Sequence, residues 1–174
     1  MYPELPEKGL EAQYQVKEVM CSGNKTINEL ITIFEKHKNE RICVVGTMAC
    51  GKTTLIKELT AYDCVDIDAV FWPLIPEKEI AVFSQRPLTT QLFDEICELM
   101  KEKISIKAGF PLFTVTIPDC EVVVYLDIPE ELLAEHCNKR GDTNIEDALF
   151  VRQCIEDELS EQAGKTVYCL GITG

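Results

Sequence analysis

Eight residues, Gly46-Thr-Met-Ala-Cys-Gly-Lys-Thr53, constrain the fold of this chain more than any other part of its sequence. They match the pattern G-x-x-x-x-G-K-[ST] in full, in which the backbone N–H groups of a glycine-containing loop surround a phosphate. The apolar run from Arg41 to Val45 precedes them and predicts a buried strand, and an amphipathic helix is predicted to begin near Lys52. This order of strand, loop and helix is the context that the pattern requires, so the sequence predicts a phosphate-binding site here.

Residues 46–53, the phosphate loop, have distinct expected roles toward a nucleotide. The loop N–H groups would point at the β-phosphate from the N-terminus of the helix. Lys52 would neutralise charge shared by the β- and γ-phosphates, and the Thr53 hydroxyl would complete the coordination of Mg²⁺. The predicted nucleotide-binding residues of this segment are Gly46, Ala49, Cys50, Gly51, Lys52, Thr53 and Thr54. ATP and Mg²⁺ are therefore the expected ligands, and the Cys50 thiol is expected to be packed and inert.

Two carboxylates, Asp66 and Asp68, stand at the end of a second predicted strand, Cys64 to Ile67. Ligands of parallel α/β sheets collect at the carboxyl ends of the strands, so both side chains are placed to face the phosphate loop. Asp66 is predicted to hold Mg²⁺ indirectly, by contacting the ligands of the metal, and it is also the candidate base. Asp68 is predicted to contact the acceptor. The alternative, a solvated strand end with a turn aspartate, stays open.

Composition excludes several classes of protein. The chain has 174 residues with 30 acidic and 17 basic side chains, a formal charge of −13 that repels a nucleic-acid polymer. Its length fits one domain with a sizeable core. No apolar stretch reaches the roughly 18 residues of a membrane span, so no membrane partner is expected.

Nine cysteines are scattered along the chain, and no two form a CxxC pair. An odd number of dispersed cysteines supports neither a disulfide framework nor a zinc ribbon. Reduced thiols are typical of the cytosol, and the sequence therefore predicts a cytoplasmic protein.

The sequence from Val122 to Gly141 and the segment Val65-Asp-Ile-Asp68, together with the phosphate loop, resemble the P-loop kinase group. This group includes nucleoside-monophosphate, shikimate, gluconate and dephospho-coenzyme A kinases, and the resemblance covers roughly residues 41–171. It implies an α/β, three-layer P-loop NTPase fold, with a five-stranded parallel sheet in the order 2-3-1-4-5 flanked by helices. It also implies transfer of the γ-phosphoryl of ATP to a small acceptor under an arginine-bearing lid.

The resemblance places the lid at about residues 136–160. Arg140 corresponds to a catalytic lid arginine, and Arg152 is a second lid cation expected to bind the nucleotide. His136 stands where the group usually has its first lid arginine and is expected to be a helix surface residue. Residues 141–161 hold seven acids and one base, so this lid is predicted to clamp phosphate weakly.

An acceptor region is implied at about residues 69–110, where no motif names the acceptor beyond a small molecule or a nucleotide. Arg86 is the sole arginine between 42 and 139, so an anionic acceptor would meet it there. A surface ion pair is the alternative for Arg86, and Asp68 is the second predicted acceptor contact.

The first 40 residues are expected to form a helical leader packed on the domain of residues 41–174. Thr26 and Glu29 make a capping box, and the apolar spacing that follows predicts a helix from Thr26 to Lys38. The sequence continues only briefly after its last predicted strand, where the group has a final helix. The leader helix is expected to cover that surface.

Three functions remain open at this stage. The first is a kinase, and the second is a nucleotide-dependent switch or regulatory NTPase, for which GTP specificity is disfavoured because no N-K-x-D is present. The third is a nucleotide-binding module without catalysis, in keeping with the acidic lid.

Overall fold

Short strands alternate with helices throughout the computed structural model, which describes residues 23–173. The elements in chain order are α1 (Gly23–Lys36), β1 (Ile42–Val45), α2 (Lys52–Glu58), β2 (Val65–Asp66), α3 (Ile67–Phe71), α4 (Glu77–Phe83), α5 (Thr90–Lys103), β3 (Leu112–Thr114), β4 (Val122–Asp127), α6 (Glu130–Arg140), α7 (Ile145–Leu159) and β5 (Thr166–Gly171). A single turn of 3-10 helix, Trp72–Leu74, separates α3 from α4. The predicted alternation of strands and helices is confirmed.

All five strands run parallel in one sheet, in the order β2-β3-β1-β4-β5. The predicted order 2-3-1-4-5 is therefore confirmed. In the central register, Val45 lies opposite Thr114 on one side and Tyr125 on the other. Because parallel strands end at a common edge, the phosphate loop, Asp66 and Asp127 share one edge of the sheet.

Helices cover both faces of the sheet, which gives the three predicted layers. The four residues of β1 are all buried and alternate between the two cores, because successive side chains of a strand point to opposite faces. One core contains apolar residues of α1, α2 and α6, and the other those of α3, α4 and α5. The α7 helix contributes Ala148 to the first core and Val151 and Ile155 to the second, all fully buried.

The α1 helix packs directly on the first core. Its buried residues follow helical spacing and are Thr26, Ile27, Leu30, Ile33, Phe34 and, just past its end, His37. In the described part of the chain it spans Gly23–Lys36, so the predicted start at Thr26 and the predicted end at Lys38 are both wrong. The start differs because Thr26 belongs to the inward stripe and is buried within the helix, where it cannot act as the flanking cap. Residues 1–22 of the predicted leader lie outside the described residues.

Between residues 23 and 173, no helix combines the length and apolar character needed to cross a membrane.

Candidate nucleotide site

The phosphate loop joins the end of β1 to the first turn of α2, as the sequence predicts. Gly46 donates its N–H to the Thr114 carbonyl across the sheet at 3.1 Å. A Cβ atom at this position would lie 2.6 Å from Cys50 Sγ and 3.2 Å from Leu126 Cβ, so glycine is required there. Gly51 has a φ of 108°, a left-handed conformation that glycine adopts without strain.

Ala49 is the one residue other than glycine with a positive φ, 64°, among those that the structure describes. Such a conformation costs free energy for a residue with a Cβ atom, and it persists where the surrounding contacts hold it. In this loop those contacts come from Lys52, α6 and α7.

The Lys52 side chain bridges two carbonyl groups of the phosphate loop. Its Nζ donates to the carbonyl oxygens of Gly46 at 2.6 Å and Thr47 at 2.8 Å. The third N–H of the ammonium faces Cys50 Sγ, a weak acceptor, at 3.9 Å. The cation is therefore already positioned at the loop before a nucleotide binds.

His136 supports the loop from α6. Its Nδ1 lies 2.8 Å from the Ala49 carbonyl, and because a carbonyl only accepts, Nδ1 must carry the proton of this hydrogen bond. The side chain is partly buried, not on the open helix surface as expected. The His136 side chain points inward because it lies beside Leu133 and Cys137, which are buried on the same face of α6. The spacing of His136 from these two apolar residues is the feature of the sequence that could have indicated its inward position.

A second support comes from α7, because the Thr47 hydroxyl donates to the Ala148 carbonyl at 2.5 Å. Thr47 has 1% of its surface exposed and Ala148 has none. The hydroxyl is thus directed into the protein, away from the side of the loop where a phosphate would bind.

Thr53 and Thr54 lie exposed on the first turn of α2. Asp66 caps α3, and its Oδ1 accepts the Asp68 N–H at 3.0 Å. The exposed Asp68 accepts the indole N–H of Trp72, also at 3.0 Å. The two carboxylates are therefore fixed at the carboxyl end of β2, at the edge where the sequence predicts them.

One strand, β3, lies between β1 and β2, which puts the ends of these two strands about 10 Å apart. No group of three or more His, Cys, Asp or Glu side chains able to hold a metal occurs in residues 23–173. Magnesium is usually held by one or two protein oxygens with substrate phosphates and waters. The Thr53 hydroxyl and the Asp66 carboxylate are oxygen donors of the kind that this set requires.

The three predicted functional arginines all have partners within the protein. Arg140 is exposed, and its Nε lies 3.2 Å from Asp142. Arg152 donates to the Ile128 carbonyl at 2.9 Å, beyond the end of β4. Arg86 donates to the Phe83 and Gln85 carbonyls, and its Nε lies 3.8 Å from a carboxylate oxygen of Asp147.

The region 136–160 consists of the end of α6, a connection of residues 141–144, and α7. Asn144 caps α7 by accepting the N–H groups of Glu146 and Asp147. Ala148, Val151 and Ile155 are fully buried, so one face of α7 packs into the domain, whereas residues 138–142 are exposed.

Asp127 is a carboxylate at the same sheet edge that sequence reasoning did not select. Partial desolvation and the nearby Glu156 carboxylate raise the pKa of Asp127, and Arg152 offsets part of this effect. Glu156 itself accepts the Tyr125 hydroxyl at 2.8 Å. The available signal for Asp127 is its position directly after the apolar β4, beside the strand that leads into the phosphate loop.

The chain is similar in fold to solved P-loop kinases. A gluconokinase from Sinorhizobium meliloti 1021 shares 18% identity over 79% of this chain and 85% of that chain, with a TM-score of 0.46. A shikimate kinase from Acinetobacter baumannii, in complex with shikimate, shares 17% identity over 82% and 88%, with a TM-score of 0.45. No protein-family model and no curated protein sequence matches this chain. The assignment of the fold rests on the strand order and the position of the phosphate loop. Structural likenesses of this degree carry no argument about activity.

We expect His136→Ala to weaken ATP binding by about two- to tenfold, the equivalent of one net hydrogen bond. The loss follows because the strained backbone at Ala49 would lose its contact with α6. Isothermal titration with Mg-ATP measures the change. His136→Asn is the matched variant, since an amide N–H can stand in for Nδ1, and it should lose less affinity. Equal affinities for the wild type and the alanine variant would contradict this role.

Proposed function

We propose that this protein is a kinase that transfers the γ-phosphoryl group of Mg-ATP to a hydroxyl of a small molecule or nucleotide. The observation that carries the proposal is the phosphate loop itself, with Lys52 bonded to the Gly46 and Thr47 carbonyls between β1 and α2. A cation fixed beside a ring of backbone N–H groups at a helix N-terminus suits the β- and γ-phosphates of a nucleotide.

Catalysis in this proposal is chiefly positioning and neutralisation of charge. The backbone N–H groups from Ala49 to Thr54 would hold the phosphates, and Lys52 would neutralise charge that develops on the transferred group. The N–H of Gly46, a residue predicted to take part, is bonded to Thr114 instead. Thr53 would hold Mg²⁺ directly and Asp66 would hold it through a water. The bound metal would supply positive charge that neutralises the transferred phosphoryl group.

The acceptor is proposed to lie beside α3 and the segment that joins α4 to α5. Asp68, oriented by the Trp72 indole, is the proposed contact for an acceptor hydroxyl, and Asp66 is the candidate to receive its proton. Arg86 keeps 48% of its side chain exposed, so an anionic acceptor would share this guanidinium with Asp147.

Arg140 and Arg152 are proposed to act on the nucleotide after rearrangement. Arg140 would have to leave Asp142, with which its exposed side chain pairs, and Arg152 would have to leave the Ile128 carbonyl. These pairings favour a second candidate function, a nucleotide-binding module with weak or no turnover.

The odd number and scattered positions of the nine cysteines in the sequence support our proposal of a cytoplasmic location.

A phosphoryl-transfer assay separates the two functions. Purified protein is incubated with Mg-ATP and, in turn, nucleosides, nucleotides, sugars, sugar acids and coenzyme A precursors, and ADP release is measured. A kinase should release ADP at least about tenfold faster with one acceptor than with none. Binding of Mg-ATP without acceptor-dependent turnover would support the binding module, and hydrolysis that no acceptor accelerates would contradict the kinase.

A further inference from the structure

The first turn of α7 contacts two parts of the proposed site at once. Asp147, in this turn, accepts the backbone N–H of Leu88 through Oδ1 at 3.0 Å. Its other carboxylate oxygen lies 3.8 Å from Nε of Arg86. The next residue, Ala148, accepts the Thr47 hydroxyl through its carbonyl. Two adjacent residues therefore connect the phosphate loop to residues 84–89, the link between α4 and α5.

All three residues at the centre of this connection are shielded from water. Thr47 is 1% exposed, Asp147 is 5% exposed and Ala148 is fully buried. Breaking either hydrogen bond would leave a buried polar group without a partner, which destabilises the protein. Movement of the first turn of α7 would therefore disturb its contacts with both the phosphate loop and residues 84–89.

The carboxylate is also well placed within its helix. Asp147 lies in the first turn of α7, where the helix dipole stabilises negative charge, and the Asn144 side chain caps the same turn. Phe150, one turn further along, packs edge to face on Phe93 of α5, with ring centroids 5.9 Å apart. The α5 end of the link is therefore held against α7 by an apolar contact as well.

We propose that Asp147 is a positioning residue that couples nucleotide binding at the phosphate loop to the order of residues 84–89. This inference rests on the proposed function, because it takes the loop as the nucleotide site and the 84–89 link as part of the acceptor region. A nucleotide that fixes the loop also fixes Thr47, the Ala148 carbonyl and, through Asp147, the Leu88 amide. Coupling of this kind is reciprocal, so loosening Asp147 must weaken the nucleotide.

Hydrogen exchange tests the forward direction, with the full chain and Mg-ADP as the probe. Saturating Mg-ADP should slow exchange in a peptide that covers residues 84–92 by at least about threefold. Thr47→Ser keeps the hydroxyl donor and should keep this protection. Thr47→Val has a similar shape without the donor, so it should bind Mg-ADP more weakly and, once saturated with Mg-ADP, lose the protection.

Nucleotide affinity tests the reverse direction. Asp147→Ala removes both the acceptor for Leu88 and the charge that faces Arg86, and it should raise the Kd for Mg-ADP by about fivefold or more. Asp157→Ala makes the same chemical change at an exposed position on α7 and should leave the Kd unchanged. A purely structural role for Asp147 would lower the melting temperature without this difference in Kd. If Asp147→Ala does not fold, the two Thr47 variants decide the question.

Three results would overturn the coupling while leaving the proposed function intact. They are bound Mg-ADP with unchanged exchange at residues 84–92, equal protection in Thr47→Val and Thr47→Ser, and an unchanged Kd for the folded Asp147 variant. Failure of the wild-type chain to bind either Mg-ADP or Mg-ATP would overturn the proposed function together with the coupling.

Discussion

Lys52→Ala should lower the rate of ATP-dependent phosphoryl transfer by about 100- to 1,000-fold, the loss typical when one stabilising donor is removed from a transition state. Alanine removes the only charge that the phosphate loop itself carries and leaves the Gly46 and Thr47 carbonyls without the ammonium. ADP release under saturating Mg-ATP and acceptor measures the effect.

Lys57→Ala is the matched control, because Lys57 is exposed on the same helix, α2. It should keep the wild-type rate, and circular dichroism should show that both variants are folded. Turnover of Lys52→Ala within a few-fold of the control would contradict the assignment of the loop as the catalytic nucleotide site.

Phe34→Ala should lower the free energy of unfolding by about 3–5 kcal/mol, the usual cost of truncating a buried aromatic residue. Phe34 is 2% exposed in the first core, and its ring packs edge to face on Tyr62 with centroids 5.3 Å apart. Urea denaturation followed by circular dichroism gives the difference. Lys36→Ala, an exposed change in the same helix, should cost less than about 0.5 kcal/mol.

Removing residues 1–38 deletes α1 and should give insoluble or strongly destabilised protein, since Leu30 and Phe34 would leave a gap in the core. Solubility, urea denaturation and Mg-ATP titration of this truncated chain measure the effect. A truncated chain with wild-type stability that still binds Mg-ATP would refute the role of α1 as part of the domain.

Much of the fold could be predicted from sequence because its signals are local. The apolar runs that became β1 and β4 are buried on both faces, and the phosphate loop marks the junction between a strand and a helix. The strand order came from the resemblance to P-loop kinases. Boundaries were less predictable: the helix containing Thr26 starts before it, because burial of its threonine outweighed the capping pattern.

The contacts of the phosphate loop likewise differ in how far the sequence predicts them. Lys52 and its partners lie within six residues of each other, so the motif itself indicates their contact. The contact of His136 with Ala49 spans 87 residues, and that of Thr47 with Ala148 spans 101. Such contacts depend on how α6 and α7 pack on the sheet, which no short pattern encodes. Asp147 likewise has no signal other than its place in an acidic first turn.

The connection between α6 and α7 has a consequence for the fate of the phosphoryl group. Four residues, 141–144, can extend over at most about 14 Å, which is short for a loop that would have to cover both a nucleotide and an acceptor. On the proposed function, we therefore expect bulk water to reach the terminal phosphate and to compete with the acceptor hydroxyl. We expect ADP to form in excess of phosphorylated product. We also expect that no lid-opening step limits the rate of ADP dissociation.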